Sequence, residues 1–368
     1  MIKRIILLSF IFLLSDLRCY AEFNISAKAY VVIEQSTNTV IYSKNPDLKM
    51  KPASTTKILT GICALENGNL NDKVVISDNA AYEEGSSLYL EPGDSVSLEN
   101  LIYGLMLNSG NDAAVAISEY ISKSEEEFSK LMNKKAKEIG AKNSNFENPH
   151  GLDSDNHYTT AYDLALITSY ALNSDKFSKI VSTKSKVIKE DGGFIRYLSN
   201  HNKMLHMYDG CIGVKTGFTK KSGRTLVTAA KKDGVKLIAV TLNAPDDWND
   251  HKKLLDEGFK AVSKKNILNK KEKISMVEVK NGEKNFVPVR CKDEFDGVYL
   301  KNKQIQYDVV YKYQSLTAPV KEGQVAGKAF VYKDGKKIFE TEILTTEKTE
   351  KNKGSTFYEC VKKVFKLW

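Results

Sequence analysis

Lys51-Pro52-Ala53-Ser54-Thr55-Thr56-Lys57 places a serine three residues ahead of a lysine, at the start of a helical pattern that runs to about residue 66. Residues three apart share a helix face, so the Lys57 amine reaches the Ser54 hydroxyl. A serine hydroxyl is a weak nucleophile and needs an adjacent base to take its proton. Lys57 serves as that base only when neutral, which requires burial or a nearby positive charge to lower its pKa. Pro52-Ala53 suits a helix start, where free N–H groups and the positive end of the dipole stabilise an oxyanion. By itself the pair is an ordinary surface turn, although no other serine in the chain has a lysine three residues on.

Two further motifs follow in order, Ser109-Gly110-Asn111 and Lys215-Thr216-Gly217. The first sits between two helical segments, where a loop presents side chains to a cleft. Ser109 is placed to relay a proton to a leaving amine, and Asn111 to hydrogen-bond a substrate amide. The second precedes a strand over 225–229. Lys215 supplies charge and Thr216 a hydroxyl for a substrate carboxylate, Lys215 is also the natural second charge near Lys57, and Gly217 lets a substrate approach the backbone. Each motif alone is weak. The ordered set of three is a known pattern for active-site serine enzymes that react with penicillin.

The segments 51–57, 107–114 and 214–219 resemble the low-molecular-weight penicillin-binding proteins, serine-type D-Ala-D-Ala carboxypeptidases, and their wording is similar to those of spore-forming Gram-positive bacteria. Asn148-Pro149-His150-Gly151-Leu152-Asp153 with His157-Tyr158 carries the resemblance between the second and third motifs. Residues 318–327 extend it beyond the main match over about 28–262. The resemblance implies acylation of Ser54 by the penultimate D-Ala of a peptidoglycan pentapeptide stem, with release of the terminal D-Ala. It makes Lys57 the base, Ser109 the relay, Asn111 a substrate contact, Lys215 and Thr216 the carboxylate grip, and the N–H groups of Ser54 and of Phe218, after Gly217, the oxyanion hole. β-Lactams are the implied inhibitors, and no cofactor or metal is implied. In one place the chain departs from the pattern. Several family members carry an arginine shortly after the following strand, but residues 243–251 read Asn-Ala-Pro-Asp-Asp-Trp-Asn-Asp-His. Carboxylate recognition then falls to Lys215, Thr216, Thr219 and Arg224.

Outward from these motifs, the pattern is of strands flanking a helical middle. Two short strands lie within 29–43 around Ser36-Thr37-Asn38. Helices are expected over 97–107 with Ser97 as N-cap, and over 113–121, 126–139 and 161–172. A hairpin turning at Lys232-Asp233-Gly234 joins strands over 225–229 and 236–242, and a helix over 251–263 closes the domain. Beyond 270 the alternation is of strands only, over 274–279, 286–289, 305–313, 329–332 and 338–343. The fold class is therefore α+β. A β-lactamase/transpeptidase-like domain over 22–268, with an antiparallel sheet and a helical subdomain, precedes a small all-β domain over 269–346.

The two ends read differently. Met1-Ile2-Lys3-Arg4, an apolar run over 5–14 and Cys19-Tyr20-Ala21 form a secretory signal over 1–21, too short to span a bilayer. Residues 345–355 read as a solvated linker within a terminal segment, 347–368, that ends in an amphipathic helix. Phe357, Val361, Val364, Phe365 and Trp368 share one face of that helix and Glu359, Lys362, Lys363 and Lys366 the other, which suits an anionic membrane surface. The expected location is the outer face of the cytoplasmic membrane or the wall.

The 368 residues carry a net charge of +9 with 42% hydrophobic and 27% charged residues, ordinary for a globular protein. Export and scattered lysines argue against nucleic acid. Irregularly spaced cysteines without a CxxC pair, and the lack of an H-E-x-x-H, argue against zinc. The sequence has no G-x-S-x-G elbow for a Ser-His-Asp hydrolase. A class A β-lactamase needs a glutamate to activate water, for which Glu147 is the nearby candidate. A non-catalytic wall-binding scaffold does not require the intact motifs.

Overall fold

The computed structural model describes residues 24–190, 195–301 and 305–352. The expected signal segment, 1–21, and the expected amphipathic helix, 357–368, lie outside them.

Strands β1 (Ala29–Glu34) and β2 (Thr39–Lys44) open the chain. The turn between them is held by the Glu34 carboxylate, which accepts from the backbone and hydroxyls of Ser36 and Thr37. A 3-10 turn, Ala53–Thr56, then leads into α1 (Lys57–Asn67). The expected single helix from Ser54 is thus two pieces, with Ser54 in the tight turn and Lys57 beginning the α-helix. A helical subdomain follows: β3 (Lys73–Val75), α2 (Asp78–Ala81), β4 (Ser95–Ser97), α3 (Leu98–Leu107), α4 (Asn111–Ser122), α5 (Glu125–Ile139), α6 (Ala161–Ala171) and α7 (Asp175–Ser182). Ser97 does precede α3, but its hydroxyl donates to Glu190 Oε1 at 2.7 Å instead of capping the helix.

A hairpin, β5 (Ser185–Lys189) and β6 (Ile195–Ser199), and the short α8 (Met204–Met207) return the chain to the sheet. There β7 (Cys211–Thr219), β8 (Gly223–Lys232) and β9 (Val235–Leu242) run antiparallel, and α9 (Asp247–Ala261) covers them. Lys215-Thr216-Gly217 does precede the expected 225–229 strand, now β8, but itself lies inside β7, whose pairing with β8 begins at Cys211. The last helix begins at Asp247, earlier than expected, and ends at Ala261.

The sheet order β2-β1-β9-β8-β7 leaves β7 at an edge. Strand side chains alternate between faces. Val31, Ile33, Val227, Ala229, Ile238 and Val240 join the core shared with α1 and α6, whereas Val32, Leu226, Leu237 and Ala239 pack with Leu254 and Leu255 of α9. That sandwich of helices around one sheet presents the β7 edge to the start of α1.

The all-β domain comprises β10 (Val262–Leu268), β11 (Lys273–Lys280), β12 (Phe286–Cys291), β13 (Phe295–Leu300), β14 (Tyr307–Tyr313), β15 (Leu316–Thr317), β16 (Val325–Lys333) and β17 (Lys336–Thr345). Its six-stranded sheet, β14-β16-β17-β12-β11-β15, buries Val277, Val287, Val289, Ala329, Val331 and Ile343. β10 pairs with β13, whose Val298 packs into the α9 core, so this pair links the two halves of the molecule. The expected linker is shorter than its composition suggests. Thr349 is buried and bridges Val320, and Lys351 bridges Gly282, so the chain belongs to the β domain as far as residue 351.

Candidate active site

Ser54 is positioned by a strained, crowded turn. Ala53, just before it, takes φ 49°, a left-handed conformation that costs a non-glycine residue energy and marks a turn fixed by its surroundings. The surroundings are visible in Gly151, where an added Cβ would sit 1.9 Å from the Ala53 carbonyl oxygen. Opposite, a Cβ on Gly217 would lie 2.9 Å from Ser54 N, so β7 can approach the serine turn closely only with glycine there. Thr225 of β8 ties sheet to turn by donating to the Pro52 carbonyl at 3.0 Å.

Lys57 is fully buried, and its amine has three neighbours: Ser54 Oγ at 3.1 Å, Asn111 Oδ1 at 2.6 Å and the His150 carbonyl at 2.7 Å. Burial, and then the like charge of Lys215, hold its pKa well below the ordinary lysine value. Carboxylates of Asp112 and Glu83 oppose this more weakly. Lys215 is equally buried, donates to the Thr216 carbonyl at 2.9 Å, and is lowered by burial to about 7.

Asn111 begins α4 and is fixed from the other side by the loop after α2. Its backbone N–H donates to the Ser86 carbonyl at 2.6 Å and its side-chain amide to the Glu84 carbonyl. Asp112 anchors the same loop by accepting from the N–H groups of Leu88 and Leu90 and from the Ser87 hydroxyl. Ser109 is buried, with φ 65°, and its hydroxyl makes no hydrogen bond among the described residues. Thr216 is half-buried on β7, while Phe218 is 65% exposed at its open edge.

The histidines have structural partners. Glu147 N–H donates to His157 Nδ1, so the ring proton sits on Nε2 and is donated to Thr56 Oγ1 at 2.9 Å. Burial lowers His157 and His251 to about 3, which keeps both neutral. His150 Nε2 lies between Glu83 and Glu125, at 3.5 and 3.3 Å. Glu147 is occupied by the Ser154 hydroxyl and the Asn156 N–H. No histidine hydrogen-bonds Ser54 among the described residues, which leaves Lys57 as its basic neighbour.

The structure thus brings Ser54, Lys57 and Asn111 into direct contact and sets Gly217 against the serine. Sequence reasoning missed the His150 carbonyl as a Lys57 partner and the 83–90 loop that fixes Asn111. Backbone carbonyls carry no sequence signal, and that loop has no periodicity. The quoted segment 148–153 was the available hint.

An antiparallel sheet whose edge strand backs a serine–lysine helix start, followed by an all-β domain, is the penicillin-binding-protein class of fold. The structure is similar to penicillin-binding protein 5 from Haemophilus influenzae, with a TM-score of 0.66 and 29% identity over 90% of this chain and 99% of that one. It is also similar to the Streptomyces K15 DD-transpeptidase, with a TM-score of 0.62 and 32% identity over 65% of this chain and all of that one.

The sequence profile of the S11 peptidases, described as D-alanyl-D-alanine carboxypeptidase, matches residues 18–246, and the chain belongs to this family. The profile of the penicillin-binding protein 5 C-terminal domain matches residues 263–351. Among curated relatives, the D-alanyl-D-alanine carboxypeptidase DacF of Bacillus subtilis is 35% identical over 90% of this chain and 88% of its own length. The D-alanyl-D-alanine carboxypeptidase DacC of Escherichia coli is 30% identical over 89% of this chain and 85% of its own.

Proposed function

We propose that this carboxypeptidase removes the terminal D-Ala of peptidoglycan pentapeptide stems through an ester on Ser54. The observation that carries the reading is the environment of the Lys57 amine. A neutral amine has two N–H donors and one lone pair. Asn111 Oδ1 and the His150 carbonyl, both acceptors, take the two hydrogens, and the remaining direction points to Ser54 Oγ. The lone pair therefore faces the proton that must leave.

Ser54 Oγ attacks the penultimate D-Ala carbonyl while its proton passes to Lys57. The oxyanion is held by the N–H groups of Ser54 and Phe218. Ser109, with an uncommitted hydroxyl, carries the proton on to the departing D-Ala amine. Water then hydrolyses the ester, with Lys57 again as base. Asn111 also binds the substrate amide, and Lys215 and Thr216 hold its carboxylate. β-Lactams acylate the same oxygen because their lactam amide imitates the D-Ala-D-Ala bond. Release of D-Ala from diacetyl-Lys-D-Ala-D-Ala tests the reading. Turnover that requires Ser54 supports it, and no release by folded enzyme rejects it.

The working location is the outer face of the cytoplasmic membrane or the cell wall, reached through the signal over 1–21 and, at the membrane, held by the amphipathic segment over 357–368. Deleting residues 354–368 is expected to move the enzyme to the soluble fraction, and unchanged membrane association removes the anchor from the account.

A further inference from the structure

The Lys57 amine is aimed by two acceptors, and each of these is held in turn. The His150 carbonyl belongs to the segment between α5 and α6, whereas Asn111 Oδ1 belongs to a side chain whose amide donates to the Glu84 carbonyl. Residues 84 and 150 are far apart in the chain, so their joint placement needs a link between the two segments. The His150 side chain supplies one. Its ring is 6% exposed, with Nε2 at 3.5 Å from Glu83 Oε1 and 3.3 Å from Glu125 Oε2. Glu83 adjoins Glu84 in the loop after α2, and Glu125 is the first residue of α5.

The tautomer follows from the other ring nitrogen. Leu152 N–H donates to Nδ1 at 3.2 Å, so the neutral ring carries its proton on Nε2, the atom that faces both carboxylates. The hydrogen bond from His150 holds Glu125 below the ordinary glutamate value, whereas burial raises Glu83 above it. Glu125 is thus the charged acceptor, supported by Asn79 of α2, and a bond to a charged partner is stronger than a neutral one. The backbone around the ring is fixed as well. Thr60 of α1 donates to the Pro149 carbonyl at 2.6 Å, and Asn148 Oδ1 accepts from the Gly151 N–H at 2.7 Å. One ring therefore ties the 148–152 segment, already seated on α1, to the loop that carries Glu84 and to the start of α5.

We propose that the His150 imidazole, gripped by Glu83 and Glu125, is a positioning residue for the general base: it holds together the two acceptors that turn the Lys57 lone pair towards Ser54. The proposal rests on the reading of Lys57 as the base and deepens it. Among the described residues the ring nitrogens contact Glu83, Glu125 and Leu152, not Ser54, so the ring acts through Lys57. The His150 carbonyl belongs to the backbone and survives any substitution, so a side-chain variant tests the ring alone.

The experiment measures acylation by a fluorescent penicillin on wild-type enzyme, His150→Ala, His150→Gln and Glu125→Gln, and again with each change added to Lys57→Ala. Saturation separates the acylation rate from the binding that precedes it, and cooperative thermal unfolding verifies the fold. With Lys57 present, His150→Ala should lower the acylation rate about ten- to a hundredfold, the range of a small misplacement of a reacting group, with initial binding little altered. His150→Gln, which keeps a donor near the Nε2 position, should recover most of that loss. Glu125→Gln leaves the ring in place but removes its charged partner, and should cost about three- to tenfold. On Lys57→Ala the same changes should make less than about a twofold further difference, since no amine remains to be aimed. An equal loss with and without Lys57 makes the cluster a support of the fold alone. A loss carried by initial binding places it with the substrate, and no loss removes it from the site. Each of these results overturns the proposal, and Glu125→Gln decides if His150→Ala does not fold. Acylation of Lys57→Ala at the wild-type rate instead overturns the assignment of the base itself.

Discussion

On the helix side of the cleft Lys57 is fully buried with three partners within 3.1 Å, whereas on the strand side Phe218 is 65% exposed at the end of β7. The first wall is finished before substrate arrives. Ser54, Lys57, Asn111 and the His150 carbonyl hold one another, and a chemical step gains from groups that need no rearrangement. The second wall is an unfinished β-sheet. Its edge has no neighbouring strand among the described residues, and an extended substrate peptide is expected to complete it. Damage on the helix side is therefore expected in the rate of acylation, and damage on the strand side in binding.

The largest effect separates the two walls most sharply. Lys57→Ala should slow acylation by penicillin about a hundredfold or more, the ordinary worth of a general base, while the thermal unfolding profile remains cooperative. Near-normal acylation in stopped-flow measurements would move the base to the strand side and erase the distinction.

Lys215 joins the walls, and pH reveals the link. In the proposed mechanism acylation needs neutral Lys57, so its rate is expected to rise with pH through the Lys57 pKa, which the Lys215 charge helps to depress. Lys215→Met should shift that rising limb to higher pH. The same residue shapes stability. Its folded value of about 7 lies below the ordinary 10.5, so the unfolded chain binds more protons between these limits. Native stability then increases with pH across that window, and Lys215→Met should flatten the increase in urea melts. An unmoved acylation limb would show the two lysines to be uncoupled.

The smallest effect belongs to the strand wall alone. Thr216→Val removes one hydroxyl contact and should raise KM for a D-Ala-D-Ala peptide several-fold, consistent with about 1 kcal/mol, with kcat little altered. A loss mainly in kcat would place Thr216 with the chemistry.

Much of this was legible in the residues, unevenly so. Ser54 and Lys57 announce themselves by spacing, and β8 and β9 by their apolar runs around Lys232-Asp233-Gly234. The extent of β7 was hidden because Lys215, Thr216 and Gly217 break the apolar pattern at the positions that serve the cleft. β10, Val-Ser-Lys-Lys-Asn-Ile-Leu, is mostly exposed and shows no alternation, since only its ends are buried. The 345–355 stretch has the composition of a linker, yet backbone pairing by Thr349 and Lys351, invisible in side-chain chemistry, keeps it in the β domain.

The most direct test is to trap the reaction on wild-type enzyme with a slowly hydrolysed penicillin and map the modified peptide by mass spectrometry. The account predicts one penicilloyl group per molecule, attached to Ser54 in the peptide containing Lys51-Pro52-Ala53-Ser54, and none on Ser54→Ala. Attachment to any other residue, or stoichiometric labelling of Ser54→Ala, would contradict it.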